Sequence, residues 1–412
     1  MPTLQTVSET ILHAILMAAA LFVAGCALSS SSDQAAPAIA TTANTTTETV
    51  TAKSVHRSPA QDRASKVALL LPLSAAGPTG AIAKGMKQAA ELALFDGGSP
   101  TVQLIVKDDL GTPEGAIAAA EDAIKEGVEL IAGPLFSSSV KVVAPLAQRA
   151  NIPVLAFSND AQVAGNGVYL ISFLVTQDID RVVAYCVGQG RKRFAALIAD
   201  DAYGQLMGAA FRQAVSSHGG SIKVFETYPA QAGNAVLEPS RKLVEGMKRA
   251  DEDGEPVEAL FTPGSADSLS NLGPLLTYAG LNSNRTKLIG TGAWDQAGLG
   301  RETAFIGGWF AAPEPRGWQE FSEKFGRIYG TAPPRIATLA YDAVTLVVQL
   351  SSNERDRRYT AATLTQSSGF HGADGRVRLK SNGAPQRSLA ILEVQKLGVT
   401  IVDKAPAEFD PG

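Results

Sequence analysis

A chain of 412 residues, 45% hydrophobic and 18% charged, is long enough to bury two domain-sized cores. Its formal net charge of −4 argues against an electrostatic grip on nucleic acid. The four histidines, at positions 13, 56, 218 and 371, are scattered, and no His/Cys/Asp cluster has metal-site spacing.

In chain order, the apolar run AILMAAALFVAGC ends at Cys26. It is short for a transmembrane helix and suits the core of a signal peptide. Val23-Ala24-Gly25-Cys26 resembles the bacterial lipobox, which implies a lipidated Cys26 after removal of the segment before it. One departure is the lack of any Lys or Arg ahead of Cys26. Residues 27–65 are rich in Ser, Thr and Ala and cannot bury enough apolar surface to offset their ordering entropy. They are expected to form a tether between anchor and folded body.

From Lys66 the texture changes. VALLLPLS predicts a buried strand, AAGPTG a turn, and the segment with Ile82, Met86, Ala89 and Ala93 on one face a helix. TVQLIVKDD, ELIAGPL and IPVLAFS read as further strands, with helices at PEGAIAAAEDAIKEG, begun by Pro113, and after Ser137-Ser138-Ser139. The three serines raise two alternatives: capping of the following helix, or an anion seat at its N-terminus. After a crossing segment, GVYLISFLV, the pattern restarts. Helices are predicted at 177–189, 203–217, 237–250 and 268–279, alternating with strands FAALIAD, SIKVFETYP, ALFTPG and TKLIGTG. Cys186 falls on the apolar side of the first of these helices, as a small buried hydrophobe outside any disulfide. GGWFAAP at 307–313 reads as a second crossing strand, followed by helices near 316–329 and 335–352. GRVRLK and SLAILEV read as a closing pair of strands around Ser381-Asn382-Gly383.

Strands alternating with helices predict an α/β fold: two Rossmann-like lobes with parallel sheets covered on both faces, joined by crossing strands. The expected division is 1–26 signal peptide, 27–65 tether, 66–176 lobe 1 with 307–352, 177–306 lobe 2 with 353–405, and 406–412 as a tail. Ligands of open α/β sheets sit beyond the carboxyl ends of the strands. Five polar strand tips from the two lobes therefore describe a cleft: Ser137–Ser139, Ser158-Asn159-Asp160, Asp200–Gly204, Thr262–Ser265 and Thr291–Asp295.

VALLLPLSAAGPTG (67–80), VKDDLGTPEGA (106–116), GPLFSSS (133–139), NIPVLAFSND (151–160), ADDAYG (199–204) and GFHGADGRVRLKSNGAPQRSLAILEV (369–394) together resemble the type I periplasmic binding proteins. The likeness is to the leucine/isoleucine/valine-binding branch and spans about Lys66 to Asp403. Within it, the opening VALLLPLS and the closing F-x-G-x-D-G…N-G…R…V are similar to lipoproteins described as penicillin-binding protein activators. The helical-repeat domain that some activators carry ahead of the binding-protein fold is not expected within these 412 residues. The resemblance implies a ligand carboxylate held at Ser137, and a second polar group at Ser158, Asn159 or Asp160, where Asp160 stands in place of the usual hydroxyl. It also implies an acid after TKLIG for a ligand ammonium. Thr291-Gly292-Ala293 stands there instead, with Asp295 further on and Asp201 as another candidate.

The expected ligand-contacting residues are Ser137, Ser138, Ser158, Asn159, Asp201, Tyr203, Thr262 and Trp294. No G-x-S-x-G elbow, phosphate loop or dinucleotide fingerprint follows a strand, and no cofactor, metal or catalysis is expected. The expected function is that of a cell-envelope lipoprotein binding a small polar, amino-acid-like ligand in the cleft, with an ABC-type permease as partner and the lipid as its only membrane contact. The alternative is a penicillin-binding protein activator that touches a cell-wall synthase and has a degenerate cleft. Either reading places the protein on the periplasmic side of a membrane, the outer one where an organism has two.

Overall fold

The computed structural model describes residues 64–98, 101–230, 233–264, 266–296 and 298–409. Cys26, the expected signal peptide and nearly all of the expected tether lie outside the described residues. The first lobe is built on β1 (Ser65–Leu71), β2 (Val102–Asp108), β3 (Leu130–Ala132), β4 (Val154–Ala156) and β5 (Val168–Leu170). These form one sheet, in the order β2-β1-β3-β4-β5, with every pairing parallel. The alternation in β1 assigns its side chains to two cores. Val67, Leu69 and Leu71 pack with α1 (Pro78–Asp96), while Ala68 and Leu70 face α2 (Pro113–Lys125) and α3 (Ser137–Arg149). Strand β1 begins at Ser65, whose buried hydroxyl bonds Tyr359 at 2.9 Å, so the last residue of the expected tether belongs to the sheet. The helix predicted from PEGAIAAAEDAIKEG forms as α2, capped by Thr112, which accepts from the Gly115 amide at 3.1 Å.

The second lobe carries α4 (Val175–Gly188), β6 (Arg193–Asp200), α5 (Ala202–Ser217), β7 (Ser221–Pro229), α6 (Leu237–Glu252), β8 (Ala259–Phe261), α7 (Ala266–Tyr278), β9 (Lys287–Gly290) and β10 (Trp309–Ala312). Helix α8 (Pro315–Tyr329), α9 (Ala337–Ser351), the single turn α10 (Ala361–Leu364) and five short strands complete the chain. The strands are β11 (Phe370–Gly372), β12 (Gly375–Leu379), β13 (Pro385–Arg387), β14 (Ala390–Val394) and β15 (Val399–Asp403). The second sheet has the order β15-β14-β10-β9-β8-β6-β7; it is parallel from β10 to β7 and antiparallel at β14 and β15. Its faces hold Leu197, Leu260 and Phe310 on the α6–α7 side, and Phe194 and Phe261, packed against Phe211 of α5, on the α4–α5 side. Cys186 is fully buried in the latter core, and burial pushes its thiol up to about 12.

The division of the last hundred residues differs from the sequence expectation. Segment 309–312 is an internal strand of the second sheet, not part of lobe 1. Strands β11 to β13 form a separate three-stranded sheet, and Phe370, Val377 and Leu379 from it pack into the core that α1 and α9 share under lobe 1. The turn at 381–383 therefore joins β12 to β13, and SLAILEV pairs with β10 and β15 instead. The chain passes between lobes near 171–175, 312–315 and 387–390.

A buried ion pair fastens two of these passages. Arg387, at the end of β13, donates to the Ile171 carbonyl at 2.6 Å and to Asp342 of α9 at 3.3 and 3.4 Å. Gln177 of α4 accepts from the Arg387 amide at 3.0 Å, which ties lobe 2 to the same point.

Candidate functional site

The site is a cavity of about 240 Å³ between the lobes. Asn159, Phe173, Arg335 and Ile336 line it from lobe 1 and the first crossing; Val175, Asp178, Tyr203, Thr291, Gly292, Ala293, Asp295, Ala312 and Pro313 line it from lobe 2 and the second crossing. All the lobe 2 positions lie at or beyond strand carboxyl ends or at helix N-termini, where an open α/β sheet exposes amides and polar tips.

The lobe 2 wall is shaped by one tryptophan. After β9 the chain makes a short helical turn, Gly292–Trp294, that swings Trp294 back into the core against Phe305 and Phe310. The indole donates to the Thr262 carbonyl at 3.1 Å. Its ring presses on β9 so closely that a Cβ at Gly290 would fall 2.0 Å from Trp294 Cε2. The turn leaves the Gly292 amide facing α4, where it donates to Asp178 Oδ2 at 3.0 Å. Asp178 lies in the first turn of α4, where a carboxylate also meets the positive end of the helix dipole.

Burial pushes the Asp178 carboxyl up to about 7, and only the Gly292 amide works against that. Burial raises Asp295 as well, with Arg335 opposing and Asp374 adding to the rise. Tyr203, half exposed at the start of α5, has its hydroxyl raised by burial and by Asp178. Across the cavity, Arg335 gives both terminal nitrogens to the buried Asp374 at 2.8 Å and lies over the rings of Phe173 and Trp318.

Of the residues expected from the sequence, Asn159 and Tyr203 line this cavity, and the other six do not. Ser137 is the first helical residue of α3, with Phe136 as the cap, and no side-chain capping bond forms there. Ser138 is exposed and Ser139 is fully buried, its hydroxyl without a hydrogen-bond partner among the described residues. Ser158 is buried and accepts from the Asp160 amide at 3.1 Å, while Asp160 turns away to cap the next helical turn at the Gln162 amide. Asp201 caps α5 through the Gly204 amide at 2.7 Å. Thr262 and Trp294 belong to the core, because the indole needs the Thr262 carbonyl and the flanking aromatic rings.

Sequence reasoning passed over Phe173, Asp178 and Arg335. The signals were an acid one turn into the helix after a crossing segment, in FLVTQDID, and a cation after a Pro pair ahead of a helix, in APPRIA. Asp295, noted as the nearest acid after β9, does reach the cavity.

A family model described as periplasmic binding protein matches residues 64–398. The chain belongs to the periplasmic binding protein family. Among solved structures, it is similar to an ABC transporter substrate-binding protein from Sphaerobacter thermophilus, at 24% identity and a TM-score of 0.65, covering 84% of this chain and 99% of that one. A solute-binding protein of an ABC transporter from Rhodopseudomonas palustris BisB5, in complex with 3,4-dihydroxybenzoic acid, is similar at 21% identity and a TM-score of 0.59, covering 85% and 99%. A leucine-binding protein from Thermotoga maritima MSB8 is similar at 20% identity and a TM-score of 0.57, covering 83% and 98%. No curated protein matches the chain significantly.

Proposed function

We propose that this protein is a non-catalytic receptor of the cell envelope that captures a small polar solute in the cavity between its lobes and hands it to an ABC-type permease. The observation that carries the reading is the cavity itself, walled by both lobes and holding a half-buried carboxylate, Asp178, that is in no salt bridge among the described residues. A cleft shared by two lobes that meet through three chain passages suits capture by hinge closure. The solved relatives, one with an aromatic acid and one described as leucine-binding, share the fold while differing in ligand, so the chemistry of this cavity decides what it holds. We further propose that Cys26 carries a lipid that tethers the receptor on the periplasmic side of a membrane.

The test is thermal unfolding of the full-length protein against amino acids, amines and aromatic acids. A ligand at about 100 times its Kd should stabilise the fold by roughly 2.7 kcal/mol. Ala293→Trp, at an exposed position on the cavity wall, should abolish the shift. A shift that survives this substitution places binding elsewhere. No shift with any compound would favour the alternative of a lipoprotein that works on a cell-wall synthase by surface contact.

A further inference from the structure

The charges around the cavity do not balance. Two carboxylates, Asp178 and Asp295, line it, and neither is in a salt bridge among the described residues. The cation on the opposite wall, Arg335, already has a bidentate partner in Asp374. The backbone amide of Gly292, on the cavity wall, is taken by Asp178. The serines at 137–139, which could seat such a carboxylate, do not line the cavity. An acid entering here meets two carboxylates and little free positive charge, and a buried anion without a partner is costly.

We infer that the cavity selects a net-cationic organic amine or amidine, its charged nitrogen seated on Asp178, over a zwitterionic amino acid or a simple carboxylic acid. This rests on the receptor reading above and names the class of its solute. An organic cation fits better than a hydrated metal ion because the half-exposed Tyr203 ring lines the same space and can attract an alkylammonium, whereas the Phe173 ring is already covered by the Arg335 and Arg387 guanidiniums. Asp295, one residue beyond the turn that carries Gly292, supplies a second anionic point for a solute with two nitrogens. The groups facing Asp178 are the Gly292 amide, the Tyr203 hydroxyl, Asp295 and, across the cavity, Arg335. A cation arriving among them favours the ionised carboxylate, so binding at neutral pH releases a proton.

The experiment is isothermal titration calorimetry of the full-length protein with n-butylamine, 1,4-diaminobutane, L-leucine and benzoate, each in two buffers of different ionisation enthalpy. The amines should bind, with a buffer-dependent enthalpy that reports proton release. Asp178→Asn keeps an oxygen for the Gly292 amide and should weaken them by roughly 10- to 100-fold, and it should remove the buffer dependence. If leucine or benzoate binds more tightly than the amines, or Asp178→Asn leaves amine affinity unchanged, the receptor reading stands and this inference falls. If none of the four binds, the inference falls, and the receptor reading is decided by the wider thermal screen.

Discussion

Asp342→Ala should loosen the junction between the lobes. Asp342 and Arg387 are each about 1% exposed at the side chain, so removing the carboxylate leaves a guanidinium in the interior. Arg387 keeps the Ile171 carbonyl, but its Nε already has no hydrogen-bond partner among the described residues. The Ala373 amide, which donates to Asp342 Oδ1 at 2.6 Å, is orphaned as well. Breaking a buried pair by deleting one partner costs about 3–5 kcal/mol. At about 2 °C per kcal/mol for a body of this size, Tm should fall by roughly 6–10 °C. Asp342→Asn keeps an acceptor for Ala373 and should sit at the lower end. The double variant Asp342→Leu/Arg387→Met replaces the pair with apolar volume and should regain most of the loss. Calorimetric melting of the four proteins is the assay. A single variant within about 1 kcal/mol of the parent, or a double variant no better than the single one, would refute the claim that this pair fastens the junction.

Gly290→Ala should cost more than about 3 kcal/mol, since its Cβ would strike the Trp294 ring at 2.0 Å; Gly298→Ala, with nothing within 4 Å, should be nearly neutral in the same melt. Asp109 is fully buried, and burial pushes its carboxyl up to about 6. Its folded-state value lies above the unfolded one, so its contribution is fully present below about pH 4 and is lost as pH rises through about 6. Parent stability should therefore drop by about 3 kcal/mol more than that of Asp109→Asn between pH 4 and 7, read as Tm against pH. Ser137→Ala should leave solute affinity unchanged within about twofold, because Ser137 does not line the cavity; a tenfold loss would put the serines back into the site.

Much of the architecture was legible because buried parallel strands such as VALLLPL and FAALIAD are continuous apolar runs, separated by helical segments such as the one begun by Pro113. The allocation of the last hundred residues was not. Whether WFAA joins one sheet or crosses between two depends on its pairing with β9 and β14, which no local pattern encodes. The site was half legible for a related reason. Polar tips after β3, β4, β6, β8 and β9 all sit where ligands bind in open sheets, yet only those brought to the facing walls line the cavity. Trp294 looked like a ligand contact from its place after β9, and Gly290 turns that wall by letting the indole fold back into the core. Asp178 was hidden in an ordinary amphipathic helix, and its role emerges only where the turn after β9 meets the start of α4.

A receptor of this kind must hold a small solute in the space between the lobes. The most direct measurement is equilibrium dialysis of the full-length protein against a complex mixture of metabolites, followed by mass spectrometry of the retained compounds, with Ala293→Trp alongside. The account predicts that the parent retains a small nitrogen-bearing solute near one equivalent and that Ala293→Trp retains none. Equal retention by both proteins, or none by either, would contradict it.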